Sequence, residues 1–163
     1  MKNISFKLFE LLNLESELAG VVNTETGEKV IEGLLSQKLP VVTKYWLNNL
    51  VNKVLAEEKK SIDELRNELI KKYGKEDEAG NWGIERLLPS GETDKDGNEL
   101  FKYNPDFLNF TKEYEQLLAT EKEISVNLIK LDDLADIKTN DNYPLIFKYL
   151  IEEPVETVSA EEV

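Results

Sequence analysis

The sequence predicts a mainly helical α+β protein. It should have a long central helix packed with shorter helices, two small β-hairpins and a flexible acidic C-terminal tail. Three observations carry this. Apolar residues recur at helical spacing from Lys44 to Tyr73. Two apolar runs fold back around Gly-containing turns, near Gly27 and Gly97. The last dozen residues are rich in Glu and carry Pro154. The expected organisation is one α+β domain over 1–151, with a hairpin-like projection at about 80–104, followed by an acidic tail over 152–163.

Taking the elements in order, Phe6 to Ala19 reads as a helix with Phe9 and Leu12 on one face and Ser5 as its cap. A strand competes for Ile4 to Phe9, where apolar and polar residues alternate. Gly20 suits a left-handed stop. The β-branched pairs Val21-Val22 and Val30-Ile31 flank a polar stretch containing Gly27 and form the first hairpin. Gly33 to Leu39 makes a short helical turn before Pro40.

The best-supported element runs from about Lys44 to Tyr73, with Thr43 as N-cap and Gly74 as terminator. Its stripe is Leu47, Leu50, Val51, Val54, Leu55, Ile62, Leu65, Leu69 and Tyr73, thinning at Glu57 to Ser61. A straight helix of that length spans about 45 Å, long for so small a domain. A polar linker, Lys75 to Gly83, follows. Asp96-Gly97 then turns a second hairpin between Ile84–Leu88 and Leu100–Tyr103. Asn104-Pro105 opens an aromatic-faced helix through Phe107, Phe110, Tyr114, Leu117 and Leu118, ending near Glu123. Ser125 to Leu131 alternates like a strand, Asp132 to Ile137 suits one short turn, and Tyr143 to Ile151 fits strand or helix.

Composition narrows the chemistry. The chain has 163 residues, 40% of them hydrophobic, which is enough for a core. It has no Cys, so disulfides and thiolate sites are excluded. It has no His, so the commonest general base and zinc ligand are missing. No apolar run of about 18 residues suggests a membrane span, and the start lacks a signal-peptide pattern, so synthesis in the cytoplasm is expected. The net charge of −13 opposes direct binding to nucleic acid, because phosphates require Lys and Arg. It serves solubility, or a basic partner, or mimicry of DNA. The basic residues are interspersed with the acidic ones, which disfavours mimicry.

Asp94-Lys95-Asp96-Gly97-Asn98 resembles the start of a calcium loop, but the sixth residue from Asp94 is Glu99 and the twelfth is Pro105, where Gly and Glu are required. It reads as a turn. Glu57-Glu58 and Glu76-Asp77-Glu78 sit beside lysines in polar segments and read as solvated surface, so a carboxylate-only enzyme is the weakest class. No phosphate-cradling or nucleophile-elbow motif is present. The sequence therefore nominates no catalytic, cofactor-binding or metal-ligating residue.

Aromatic positions are more informative. Tyr45, Trp46 and Leu47 cannot share one stripe, because neighbours on a helix lie about 100° apart. One ring covers the preceding hairpin, or it anchors an interface, where Tyr and Trp are enriched. Trp82 stands between Asn81 and Gly83 in a polar segment and is the first candidate for an intermolecular anchor. The candidate interface is Tyr45, Trp46 and Trp82.

One ordered set of segments carries a family resemblance. It comprises Leu-Phe-Glu-Leu at Leu8–Leu11, Glu17-Leu18-Ala19-Gly20, Gly33-Leu34-Leu35-Ser36, Thr43-Lys44-Tyr45-Trp46-Leu47, Glu68 to Gly74, and Asp77-Glu78-Ala79-Gly80-Asn81. Over roughly residues 8 to 150 the chain resembles small uncharacterised structural and assembly proteins of tailed bacteriophages, those of crAss-like gut phages in particular. The resemblance implies a helical hairpin-like core, a polar D-E-x-G-N link and a second acidic helix. It implies a virion or assembly component in contact with capsid, connector or tail proteins, or with itself, found in the host cytoplasm and then in the virion. No catalytic residue is carried over. The competing class is an acidic phage-encoded inhibitor of a host defence enzyme that acts on nucleic acid.

Overall fold

A computed structural model describes residues 1–137 and 142–152 of the chain. It is α+β and mainly helical, 49% helix and 24% strand, with a long helix and small antiparallel hairpins. The predicted tail, apart from Glu152, lies outside the described residues.

Contacts divide the chain into two compact units. The first comprises Met1–Phe6, Glu10–Ala56 and the described residues from Lys122 on. Here strand β1 (Lys2–Lys7) pairs with β8 (Glu121–Val126) and precedes helix α1 (Leu8–Ala19). The alternation from Ile4 thus prevails as far as Lys7, and Ser5 lies in the strand rather than at a helix cap. In α1 the buried face is Leu11, Leu14 and Leu18, while Phe9 is exposed, so the face differs from the one expected. Each fully buried leucine contributes about 1.5–3 kcal/mol of transfer energy.

Gly20 ends α1 with φ at 84°, as its left-handed role requires. The first hairpin follows, β2 (Val21–Val22) against β3 (Lys29–Ile31), with Val21 opposite Ile31. Gly33 then passes against the end of α1. A Cβ there would lie 2.5 Å from Leu18 O and Gly20 N, so the crossing admits only glycine. A 3₁₀ turn, Leu34–Ser36, occupies the segment before Pro40, as the sequence indicates.

The long helix begins at Val41, three residues before the expected start, as α2 (Val41–Asn49). Pro40 occupies the cap position and its carbonyl accepts the Lys44 N–H at 2.9 Å. Thr43 is therefore not the cap, and its hydroxyl donates to Asp133 Oδ2 at 3.0 Å. A π-helical segment, Leu50–Leu55, continues α2, with Leu50, Val51 and Leu55 buried. After β8 come a 3₁₀ turn, Leu131–Leu134, and a π turn, Ile146–Leu150, which settles the open choice over Tyr143–Ile151 mainly as helix. Strand β8 starts four residues earlier than predicted, because the core-facing alternation is Ile124 and Val126.

The second unit comprises Lys7–Phe9 and Glu57–Glu121. It contains most of α3 (Ala56–Tyr73), where the long helix ends. Of the expected stripe only Ile62 is buried there, and Leu65 is exposed. The stretch read as a polar linker forms a further hairpin, β4 (Lys75–Glu76) with β5 (Trp82–Gly83). Gly74 makes it possible: a Cβ there would sit 2.4 Å from Gly83 O. The predicted second hairpin is β6 (Leu87–Thr93) with β7 (Glu99–Tyr103). At its tip, Asp94 Oδ1 accepts the Asp96 and Asn98 N–H groups at 2.9 Å, and Gly97 has φ 81°. Helix α4 (Pro105–Leu118) starts as read, with the Asn104 side chain accepting the Asp106 N–H, but ends five residues before Glu123.

Candidate protein-binding surfaces

In the first unit the start of α2 presents one continuous apolar face. Val41 and Val42 lie three or four residues before Tyr45, and Val42 four before Trp46, and all four are exposed. Leu47, next in sequence, is 2% exposed, so the core takes Leu47 and leaves both rings outside. The rings meet edge to face, with centroids 5.2 Å apart at 70°, a geometry favoured by aromatic quadrupoles. Trp46 also borders a cleft of about 400 Å³ shared with Leu128, Ile129 and Lys130, across which Thr43 bonds Asp133.

In the second unit Trp82 lies in β5 opposite Glu76 and is 41% exposed. It lines a cleft of about 500 Å³ with Tyr73, Ile84 and Leu88. Asn104 fixes the cleft's base. Its Nδ2 donates to Glu85 O at 2.8 Å, its Oδ1 accepts from Asp106 N at 3.0 Å, and its N–H donates to Arg86 O at 2.9 Å. Asp77 closes the turn between β4 and β5, with Oδ1 accepting the Ala79 and Asn81 N–H groups.

The three nominated residues therefore fall in two places, Tyr45 and Trp46 in the first unit and Trp82 in the second. Sequence reading missed their neighbours. Val41 and Val42 stood outside the helix expected from Lys44, so their shared face with Tyr45 and Trp46 was hidden. It also missed the outer face of β6 and β7. There Leu87 opposes Tyr103 and Pro89 opposes Phe101, two cross-strand pairs on the same face, all exposed. The signal was the alternation in Glu99-Leu100-Phe101-Lys102-Tyr103, read as structure alone.

Side-chain electrostatics around these surfaces are local. Lys72 Nζ sits 3.1 Å from Glu113 Oε1. That hydrogen bond moves the Glu113 carboxyl below, and the Lys72 amine above, its ordinary value. The turn N–H donors, that of Asn98 foremost, lower the Asp94 carboxyl. These exposed charges position side chains without storing much energy. Two acidic residues are buried elsewhere, both in α1: Glu10, which accepts the Tyr149 hydroxyl at 2.7 Å, and Glu17. The Glu17 carboxylate accepts the Leu145 N–H at 3.0 Å and the Ile146 N–H at 3.2 Å, and burial raises its pKa.

Among the described residues no helix is long and apolar enough to cross a membrane. Comparison with protein-family models, with curated proteins and with solved structures finds no match to this chain.

Proposed function

We propose that this chain is a non-enzymatic component of a tailed-bacteriophage particle, or of its assembly, acting through protein–protein contacts. One observation carries the protein-binding part. In the second unit only Leu8 and Ile62 among the apolar side chains are buried. Helix α4 leaves its apolar face half-buried, with no fully buried residue, and the β6–β7 face and Trp82 are exposed. Isolated exposed apolar residues are ordinary, whereas exposed apolar faces on successive elements mark contact surfaces. The aromatic face at Tyr45 and Trp46 adds a second surface of the composition that interface centres favour.

The phage assignment rests on the resemblance described above, and the net charge of −13 favours protein partners over DNA or RNA. The partners proposed are capsid, connector or tail proteins, or another copy of the chain. The protein would act in the host cytoplasm during assembly and then in the virion. Mass spectrometry of purified particles, with copy number measured against the major capsid protein, tests this. A fixed, reproducible copy number is expected. Absence from clean particles while the protein is abundant in infected cells would overturn the virion reading and favour the acidic inhibitor of a host defence enzyme.

A further inference from the structure

The Trp82 cleft has a polarity that the aromatic positions alone do not reveal. Its walls are Trp82, Tyr73, Ile84 and Leu88, and its volume of about 500 Å³ falls within the range of small-ligand sites. Four acidic residues, Glu76, Asp77, Glu85 and Asp106, are among those lining it, against one basic residue, Lys75. Asp77 is engaged by its own turn. The carboxylates of Glu76, Glu85 and Asp106 have no hydrogen bond or ion pair among the described residues. No group of three or more carboxylates there is placed to hold a metal ion, so the acidic lining is dispersed around an aromatic wall. Such a lining suits a cation with a flat, weakly hydrated face.

We infer that this cleft seats an arginine side chain from a basic segment of a partner protein, stacked on Trp82 and hydrogen-bonded by Glu85 and Asp106. A guanidinium stacks on aromatic faces and donates two parallel N–H bonds to a carboxylate, which a lysine ammonium cannot do. Charge complementarity selects the occupant. At this acidic cleft a basic segment is attracted, and a second copy of a chain with net charge −13 is the less favoured occupant there. Leu88 faces the cleft, whereas Leu87, Pro89, Phe101 and Tyr103 stand on the opposite face of the same hairpin and take no part in the site. The inference rests on the protein-binding reading but not on the phage assignment, and its test uses the isolated full chain.

The probe is a decapeptide of alternating glycine and arginine, with matched peptides carrying lysine or the uncharged arginine analogue citrulline. The readout is the indole N–H resonances of the two tryptophans, distinguished by Trp46→Phe. Saturable movement of the Trp82 resonance is expected with the arginine peptide, about three- to tenfold weaker with lysine and absent with citrulline. Glu85→Gln with Asp106→Asn should weaken binding about tenfold. The pair Glu25→Gln with Glu28→Gln removes the same charge from the first hairpin and should change it less than about twofold. Trp82→Leu should weaken binding about three- to tenfold, followed by peptide fluorescence anisotropy, with Trp82→Phe falling between Leu and wild type. Equal weakening by both charge pairs would reduce the effect to general attraction and overturn the site. A Trp82 resonance unmoved by the arginine peptide would overturn it too, and would leave the particle assignment standing.

Discussion

Glu17 gives the sharpest test of how the first unit is held. The residue is 7% exposed, and its carboxylate accepts the N–H groups of Leu145 and Ile146, at the start of the last helical segment among the described residues. Helix starts leave donors unpaired, and here a distant side chain on α1 does the work of a cap. Glu17→Ala leaves both donors without an acceptor. An unsatisfied buried donor costs about 1–3 kcal/mol. Leu145 is half-buried, so water relieves part of its loss, and the sum comes to about 3 kcal/mol. For a chain of this size that lowers the melting temperature by roughly 6–12 °C.

Glu17→Gln separates the hydrogen bonds from the charge. Burial raises the Glu17 pKa above its ordinary 4.5, with the Ile146 and Leu145 bonds pulling it back. The folded state therefore binds this proton more tightly than the unfolded state. The contribution is fully present below the unfolded value and is lost as pH rises through the raised folded value. A glutamine cannot ionise and escapes that loss. The stability of Glu17→Gln relative to wild type should thus improve as pH goes from about 4 to 7, every other titrating group being common to both proteins. Thermal unfolding followed by circular dichroism across that range is the assay. A melting temperature for Glu17→Ala within about 2 °C of wild type would refute the capping role. A Gln-minus-Glu difference that stays flat or declines with pH would refute the burial argument.

Three further outcomes follow from the geometry. Gly74→Ala forces a Cβ to 2.4 Å from Gly83 O and 2.5 Å from Ile70 O; it should destabilise the second unit by about 1–3 kcal/mol and speed amide exchange over Lys75–Gly83. Tyr45→Ala with Trp46→Ala removes exposed rings, so stability should change by less than about 1 kcal/mol while incorporation into particles, measured by complementation, falls more than about tenfold. Asp94→Ala removes the acceptor for the Asp96 and Asn98 N–H groups. Exchange at those two amides should rise while the rest of the chain is unchanged, and wild type should show the same local loosening as acid protonates Asp94, whose lowered pKa places that contribution above the folded value.

What could be read in the sequence was mainly local. Gly20, the Asp96-Gly97 turn and the Asn104-Pro105 start are decided by a few adjacent residues, and each has its predicted place. Boundaries that depend on distant partners moved. Thr43 is a good cap by type, yet Asp133, ninety residues away, engages its hydroxyl while Pro40 starts the helix. Phe9 and Leu12 obey helical spacing, but the packed side of α1 is the one bearing Leu11, Leu14 and Leu18, which periodicity alone does not choose. The Lys75–Gly83 hairpin was hidden because its pairing requires Gly74 to pass against Gly83, a contact with no compositional signature. Tyr45 and Trp46 stood out as misfits to a core stripe, and Trp82 as a ring in a polar segment. The charge around Trp82 was not, since Glu76, Glu85 and Asp106 come together only once β4, β5 and α4 are folded.

The uneven distribution of buried side chains bears on how the two surfaces would be used. The first unit holds nearly all the buried apolar residues, including Leu14, Leu18, Leu34 and Ile146, each with no measurable exposure. A face displayed on such a packed element loses little entropy on binding, and Tyr45 and Trp46 emerge beside buried Leu47. The second unit is different, because its apolar side chains on α4, β6 and β7 are at best half-buried. A partner covering them would add burial that the unit lacks on its own, so binding and local stability should be linked there. Amide exchange measured with and without the arginine peptide would register that linkage as slower exchange in β4–β7, with α1 unaffected. Protection that instead appeared equally in α1 would mean that the peptide stabilises the chain globally, and would remove the distinction between the two units.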